Sequence, residues 1–260
     1  MPGPASLPWE INDVPHGRVH HHFYRSAVVG DQRDYYVYTP PGYDSAQPKK
    51  YPVLYLLHGY SDDANAWSAV GRANVILDNL IAQQKAKPML VVMPLGYGAP
   101  EMLGYGFAAF GHEEIRQRNL TKFREALLAE VIPQVEKEYR AATDRQSRAI
   151  AGLSMGGSES VFVGLTSDRF GWIGAFSTGG LNDNLDEQLA EMKPQDAAHL
   201  QLLWIACGTD DRLLDFNRRL REWLTGKGVK HVDIDTPGAH TWLVWRRNLT
   251  AFAPLLFRDK

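Results

Sequence analysis

The sequence contains one cysteine, Cys207, among its 260 residues, and a lone cysteine cannot form a disulfide within the chain. It also lacks any apolar run near the ~20 residues that a membrane-spanning helix requires. The formal net charge is −2, too small to draw the protein electrostatically to nucleic acid or to an anionic membrane. We therefore expect neither nucleic acid nor membrane as a partner. The oligomeric state does not follow from these features.

The composition is that of an ordinary globular protein, with 44% hydrophobic and 22% charged residues, enough to bury a sizeable core. With no internal repeat or low-complexity linker, residues 1–260 are predicted to form a single domain. Residues 1–9 lack the basic and then apolar pattern of a signal peptide. We expect a secreted or periplasmic protein whose leader is absent from this chain, with a cytoplasmic location as the alternative.

The order of predicted elements indicates an α/β protein. Strand and helix patterns alternate from about Val53 onwards, which predicts a mostly parallel sheet with helices on both faces. Before that point, residues 17–27 and 33–39 are rich in β-forming side chains and flank a Gly30-Asp31 turn. They predict an antiparallel edge at the N-terminal side of the sheet.

Two segments between the strands have opposite patterns. Apolar residues recur every four positions over residues 121–139, which predicts a helix capped by Asn119 or Thr121. Pro133 should kink this helix because it has no N–H to donate. Residues 96–111, by contrast, are rich in glycine and aromatics without any period. They predict a long loop, and long loops in compact domains are often functional.

The strongest chemical signal is the pentapeptide Gly152-Leu153-Ser154-Met155-Gly156. It fits the G-x-S-x-G pattern, in which a strand turns sharply into a helix and exposes a serine hydroxyl. The glycines are needed because side chains there would collide with the neighbouring strand and helix. The predicted strand over residues 148–151 and the helix that follows supply this context. The motif predicts an α/β-hydrolase fold with Ser154 as the nucleophile.

A serine nucleophile needs a general base and an acid that orients it, in the chain order serine, acid, histidine. His240 lies in a predicted loop after the last strand, where the triad histidine belongs, unlike His199 and His231. The acid should follow an earlier strand, and Asp210 and Asp211 both follow the strand that ends at Cys207. Local chemistry does not separate these two aspartates.

An oxyanion hole needs two backbone N–H groups. One is predicted at Met155, directly after the nucleophile, and the other at Tyr60, in the loop after the strand of residues 53–57. His58 precedes the nucleophile in sequence, so we interpret it as structural. His20, His21 and His22 share a predicted strand, where neighbouring side chains point to opposite faces. No metal site and no organic cofactor are predicted.

Several aromatic residues fall in loops that should border this site. Trp67 and Trp242 are the candidates for substrate binding, because pockets combine aromatic walls with a few polar groups. The alternative for both is core and loop packing, which is the commoner fate of large aromatic side chains.

Four segments together resemble the esterase D-like group of α/β-hydrolases, which includes the bacterial feruloyl esterases of the first carbohydrate-esterase family. The segments are Leu54-Tyr55-Leu56-Leu57-His58-Gly59, Ala149-Ile150-Ala151-Gly152-Leu153-Ser154-Met155-Gly156-Gly157, Ile205-Ala206-Cys207-Gly208-Thr209-Asp210-Asp211 and Gly238-Ala239-His240. The resemblance covers nearly the whole chain. It implies Asp211 as the catalytic aspartate and supports Ser154, His240 and Tyr60. The chain departs from the feruloyl esterases over residues 97–117.

The predicted function is that of a serine carboxylester hydrolase that works through an acyl-enzyme. The resemblance and the aromatic loops indicate a small-molecule or polysaccharide ester as substrate, with a feruloyl, other hydroxycinnamoyl or acetyl group on plant polysaccharide. The alternatives are a general short-chain carboxylesterase or acyltransferase and, from another class, a non-catalytic carbohydrate-binding module.

Overall fold

An eight-stranded mixed sheet forms the centre of the computed structural model, which describes residues 7–258. The strands are β1 (Arg18–Arg25), β2 (Gln32–Thr39), β3 (Val53–Leu57), β4 (Leu90–Pro94), β5 (Arg148–Leu153), β6 (Trp172–Phe176), β7 (Leu202–Gly208) and β8 (Val232–Thr236). Their order across the sheet is β1-β2-β4-β3-β5-β6-β7-β8.

The strand directions confirm the predicted architecture. β1 pairs with β2 and β2 with β4 in antiparallel fashion, whereas β4, β3, β5, β6, β7 and β8 run parallel. A parallel sheet must be covered on both faces, and every residue of β3, β4, β5 and β6 is buried. This is the mostly parallel sheet with an antiparallel N-terminal edge that the α/β-hydrolase fold requires.

Helices cover both faces of the sheet. They are α1 (Ala66–Ala69), α2 (Ala73–Ala82), α3 (Glu101–Tyr105), α4 (Glu113–Ala126), α5 (Ile132–Glu138), α6 (Met155–Leu165), α7 (Leu185–Gln188), α8 (Pro194–Ala198), α9 (Leu214–Gly226) and α10 (Trp242–Phe252). Two cores result. On one face, Phe123 of α4, Phe162 of α6 and Leu220 of α9 pack against the sheet. On the other, Ile76 of α2 and Phe252 of α10 do so.

The predicted helix over residues 121–139 was wrong at its start. The helical run begins at Glu113. Glu113 and Glu114 place negative charge in its first turn, which interacts favourably with the helix dipole. Asn119 and Thr121 therefore lie inside α4 and cap nothing. The disturbance expected at Pro133 takes the form of a π-helical turn, Leu127–Val131, directly before α5. This wider turn accommodates a residue that cannot donate a backbone hydrogen bond.

The predicted loop over residues 96–111 was also wrong in part. α3 and a 3₁₀ helix, Gly106–Gly111, order its second half. Neither element has an apolar stripe, because Met102 and Ala109 are their only buried residues within the described part of the chain. Packing of these two against Tyr97, Ile115 and Met155 orders the segment instead.

Among residues 7–258 we find no helix with the length and apolar character needed to cross a bilayer. The loops that follow β3, β5, β7 and β8 meet at the carboxyl edge of the parallel strands, which is where open α/β sheets bind ligands.

Candidate active site

Ser154 occupies the sharp turn between β5 and α6. Its backbone is strained, with φ 52° and ψ −114°, a conformation that costs an L-residue of order 1–3 kcal/mol and requires support from its surroundings. The flanking glycines leave no space for a side chain. A Cβ at Gly152 would lie 2.4 Å from the Gly156 carbonyl oxygen, and one at Gly156 would lie 2.5 Å from that of His58. This geometry explains the glycine spacing of the motif.

His240 lies in the loop between β8 and α10, beside Ser154. Its Nε2 is 3.1 Å from the Ser154 Oγ, and its Nδ1 is 2.8 Å from the Asp211 Oδ2. For Nε2 to accept the serine proton, Nδ1 must carry a proton of its own and donate a hydrogen bond to the aspartate. The imidazole also rests edge-on against Trp245, with ring centroids 4.9 Å apart. The three predicted side chains are thus in contact in the order that nucleophilic catalysis needs.

Asp211 and Asp210 differ sharply in environment. The Asp211 side chain is fully buried, and its Oδ1 accepts a hydrogen bond from the Leu213 N–H at 2.9 Å. Burial raises the pKa of Asp211, but hydrogen bonds from His240, the Leu213 N–H and the Ser177 hydroxyl outweigh it and leave that pKa lowered. Asp210 is exposed. The geometry thus brings Asp211, not Asp210, to the histidine.

Sequence reasoning missed Ser177, which follows β6. Its hydroxyl donates a hydrogen bond to Asp211. The same hydroxyl accepts a hydrogen bond from the Trp245 Nε1 at 3.1 Å. Ser177, like Ser154, has a positive φ of 52°, so its backbone too is held in an uncommon conformation. No motif marks it. Only the pairing of β6 with β7 places it beside the aspartate.

The predicted oxyanion donors flank the nucleophile. Met155 is the first residue of α6, where backbone N–H groups have no acceptor within the helix. Tyr60 follows Gly59, and a Cβ at Gly59 would lie 3.4 Å from the Ser154 Cβ. The loop after β3 therefore runs alongside the serine.

His58 faces the loop backbone rather than Ser154. Its Nδ1 donates to the Gly59 carbonyl at 2.8 Å, and its Nε2 accepts from the Gly96 N–H at 2.8 Å. Burial lowers its pKa to about 4, so the ring is neutral near pH 7. A histidine with both nitrogens engaged in this way is a structural element and not a general base.

A pocket of about 810 Å³ opens above Ser154. Its walls carry five phenylalanine, tyrosine or tryptophan residues, two arginines and one acidic residue, and the residues concerned are Tyr60, Phe107, Phe110, Trp242, Trp245, Arg116, Arg212 and Asp62. Burial and the neighbouring Asp63 raise the pKa of Asp62 to about 6. Phe107 and Phe110 come from the 3₁₀ helix that the sequence did not predict.

The two candidate tryptophans have different positions. Trp242 lines the pocket. Trp67 is fully buried, donates its Nε1–H to the Leu57 carbonyl at 2.8 Å and packs edge-on beneath Trp242 with centroids 5.1 Å apart. Direct substrate contact by Trp67 is therefore not supported, because it has no surface in the pocket. Its bulk supports the ring of Trp242.

Comparison with known proteins shows the family of the chain. A family model described as "Putative esterase" matches residues 26–256. The chain belongs to this esterase family. The predicted resemblance to the feruloyl esterase group is confirmed.

The esterase is similar to an endo-1,4-β-xylanase/feruloyl esterase of Xylanibacter ruminicola, with 32% identity over 251 residues. That match covers 95% of this chain but 32% of the relative, so the chain spans about a third of the length of that protein. A ferulic acid esterase of Anaeromyces mucronatus shares the fold with a TM-score of 0.80 and 26% identity, over 95% of this chain and 93% of that one. An acetyl esterase of Caldicellulosiruptor saccharolyticus is 23% identical over 230 residues, covering 75% of this chain and 79% of the relative.

Proposed function

We propose that this esterase cleaves carboxylic esters by two-step acyl transfer, with Ser154 as nucleophile, His240 as general base and Asp211 as the acid that orients it. The observation that carries the proposal is the continuous hydrogen-bond chain from Ser154 through His240 to Asp211, at 3.1 and 2.8 Å. An unactivated serine is a poor nucleophile, and these hydrogen bonds to His240 and Asp211 supply the activation.

In the first step the Ser154 Oγ attacks the ester carbonyl while the His240 Nε2 takes its proton. Asp211 stabilises the resulting imidazolium, and the N–H groups of Tyr60 and Met155 bind the oxyanion. The carbonyl re-forms as the C–O bond to the alcohol breaks, and His240 returns the proton to the leaving alcohol. Water then repeats the sequence on the acyl-enzyme, which frees the acid and restores Ser154.

For the substrate we propose a feruloyl or other hydroxycinnamoyl ester of plant polysaccharide. Phe107, Phe110, Trp242 and Trp245 give the pocket aromatic walls, against which a planar phenolic ring can stack. The relatives named for feruloyl and ferulic acid esterase activity support the same class, and one structure of the Anaeromyces mucronatus enzyme is a complex with ferulic acid. An acetyl ester of the same polysaccharides is the second candidate, favoured by the similarity to an acetyl esterase.

The test is steady-state hydrolysis of methyl ferulate, p-nitrophenyl acetate and acetylated xylan by the wild-type protein and by Ser154→Ala. We expect rapid release of ferulate by the wild type and a loss of about 10⁴-fold or more in Ser154→Ala, because the nucleophile is gone.

The three substrates separate the alternatives. Activity on acetyl esters alone would keep the esterase mechanism and discard the phenolic substrate. If none of the three shows turnover that depends on Ser154, the proposed hydrolysis is wrong. An acyl acceptor other than water, or a non-catalytic carbohydrate-binding role, would then take its place.

A further inference from the structure

The loop that carries Tyr60 is held from behind by a buried tyrosine. The hydroxyl of Tyr97 accepts a hydrogen bond from the Ser61 N–H at 2.8 Å and donates one to the Asp62 carbonyl at 3.1 Å. Tyr97 is only 2% exposed. Both backbone groups that follow Tyr60 are thus satisfied by one side-chain oxygen from the segment after β4.

This loop needs such support because of its backbone conformation. Ser61 has a φ of 70°, in the left-handed region that L-residues other than Asn, Asp and His seldom adopt. A residue held there persists only where its surroundings over-determine it. The Tyr97 hydroxyl is a fixed acceptor that matches the direction of the Ser61 N–H in this conformation.

The same segment also reaches the other side of Tyr60. Gly96 donates its N–H to the His58 Nε2, and the His58 Nδ1 donates to the Gly59 carbonyl, each at 2.8 Å. Gly96 and Tyr97 therefore fix the loop on both sides of Tyr60, through His58 before it and directly after it.

Further contacts tie this segment to the nucleophile helix. The Ala99 N–H donates to the Asn119 Oδ1 at 3.1 Å, and the Asn119 Nδ2 donates to the Glu159 Oε1 at 3.0 Å. Glu159 is fully buried in α6, the helix that begins with Met155. The two N–H groups assigned to the oxyanion hole thus belong to one hydrogen-bonded framework. Within it, Tyr97 makes the hydrogen bonds to the loop that carries Tyr60.

We propose that Tyr97 is a positioning residue for the oxyanion hole: its hydroxyl fixes the loop at Ser61 and Asp62 so that the Tyr60 N–H points at the developing oxyanion. The inference rests on the proposed function. Residues 96–97 belong to no sequence motif. In this proposal they help to bind the transition state although they do not contact the substrate.

The test is Tyr97→Phe, which removes the hydroxyl and keeps the ring. Complete loss of one oxyanion donor costs about 10²–10³-fold in turnover, so a misaligned donor should lower kcat for p-nitrophenyl acetate by about 10–100-fold. KM should change little, and the Ki of phenylboronic acid, whose tetrahedral adduct places an oxygen in the hole, should rise by a similar factor to the loss in kcat.

Tyr43→Phe is the matched control. The Tyr43 hydroxyl also accepts a backbone N–H, that of Arg140 at 3.0 Å, but outside the pocket lining. Its loss should leave kcat, KM and the boronic acid Ki at their wild-type values. Circular dichroism and the thermal midpoint of both variants establish that each is folded at the assay temperature.

The outcomes separate this inference from the function it rests on. An inactive wild type would overturn the proposed hydrolysis itself. An active wild type with an unchanged kcat in folded Tyr97→Phe, or with a raised KM and no change in boronic acid affinity, would overturn the positioning role alone. If Tyr97→Phe does not fold, Tyr97→His, whose shorter ring cannot place a nitrogen where the hydroxyl oxygen lies, carries the same comparison. A folded Tyr97→His with wild-type KM and lowered kcat supports the role, and one with wild-type kcat overturns it.

Discussion

The turn around Ser154 and the segment of residues 101–111 line the same pocket, and they are built in opposite ways. Around the serine, an added Cβ at Gly152 or Gly156 would come within 2.6 Å of backbone atoms. In the other segment, a Cβ at Gly104 or Gly111 would meet nothing within 4 Å. There Phe107 is 64% exposed.

This difference separates chemistry from selectivity. Reacting atoms must be held to a fraction of an ångström, and a turn with no spare volume does so. Residues 101–111 form an open wall with few contacts to the core, so their side chains can be substituted without disturbing that geometry. We therefore expect substitutions on the serine side to affect all esters alike, and substitutions in residues 101–111 to affect some esters more than others.

After Ser154→Ala, the largest effect should come from Asp211→Asn, in the loop after β7. An amide cannot stabilise the imidazolium and favours the wrong histidine tautomer, so kcat should fall by about 10³–10⁴-fold. Asp210→Asn is the matched control, and as a surface change it should alter kcat by no more than about twofold. Hydrolysis of p-nitrophenyl acetate by both variants is the measurement. A larger loss in Asp210→Asn would transfer the role to the neighbouring aspartate.

Paired glycine substitutions test the difference in packing directly. Gly156→Ala forces a methyl group against the backbone of Leu57 and His58 and should lower the free energy of unfolding by about 1–3 kcal/mol. Gly104→Ala, inside α3 with open space around it, should raise it by up to about 1 kcal/mol through helix propensity. Urea denaturation measures both, and equal tolerance at the two positions would refute the contrast.

The open wall is tested by Phe107→Ala. Phe107 lines the pocket and is already partly exposed, so its loss should lower kcat/KM for methyl ferulate by about three- to tenfold. The value for p-nitrophenyl acetate should stay within about twofold of wild type, because its acyl group has no aromatic ring to pack against Phe107. Leu103→Ala, at a residue that is 55% exposed on the same segment but outside the pocket lining, is the control and should change neither value. A parallel loss on both substrates would place Phe107 in the chemistry instead.

The smallest effect concerns Asp62, which lies in the loop after β3 and lines the pocket. Burial and Asp63 raise its pKa from 3.8 to about 6, so the folded state keeps a proton that the unfolded state loses. Its contribution to stability therefore falls as pH rises from 3.8 to about 6, and the full cost is present above that range.

Asp62→Asn should accordingly raise the free energy of unfolding by about 1 kcal/mol at about pH 7.5, after allowance for solvent screening. At about pH 3 it should have little effect, since the wild-type side chain is then mostly neutral in both states. Denaturant titrations at the two pH values give the comparison. A destabilisation that is larger at the higher pH would mean that the carboxylate is favourably bound rather than strained by burial.

The motif around Ser154 could be predicted because its physics is local. A strand, a forced turn and a helix follow one another in the chain, so the glycines at 152 and 156 report the geometry by themselves. His240 could be found because chain order and its loop position distinguish it from His199 and His231. Helix α4 was predicted with the wrong start, since its first turn has charged rather than apolar residues. Residues 101–111 show no period, because contacts with Tyr97, Ile115 and Met155 order them and not their own pattern.

The sequence by itself determined the sheet with its antiparallel edge and predicted Ser154 as nucleophile and His240 as base, because strand periodicity and steric turn requirements act between near neighbours. The tertiary structure decided what depends on burial. It places Asp211 rather than Asp210 beside His240, and Ser177 beside the same aspartate. It buries Trp67 beneath Trp242, and it packs Tyr97 against the loop that carries Tyr60. Each of these contacts joins residues from different strands or loops, whose distance is fixed only when the sheet has formed and its two faces are packed.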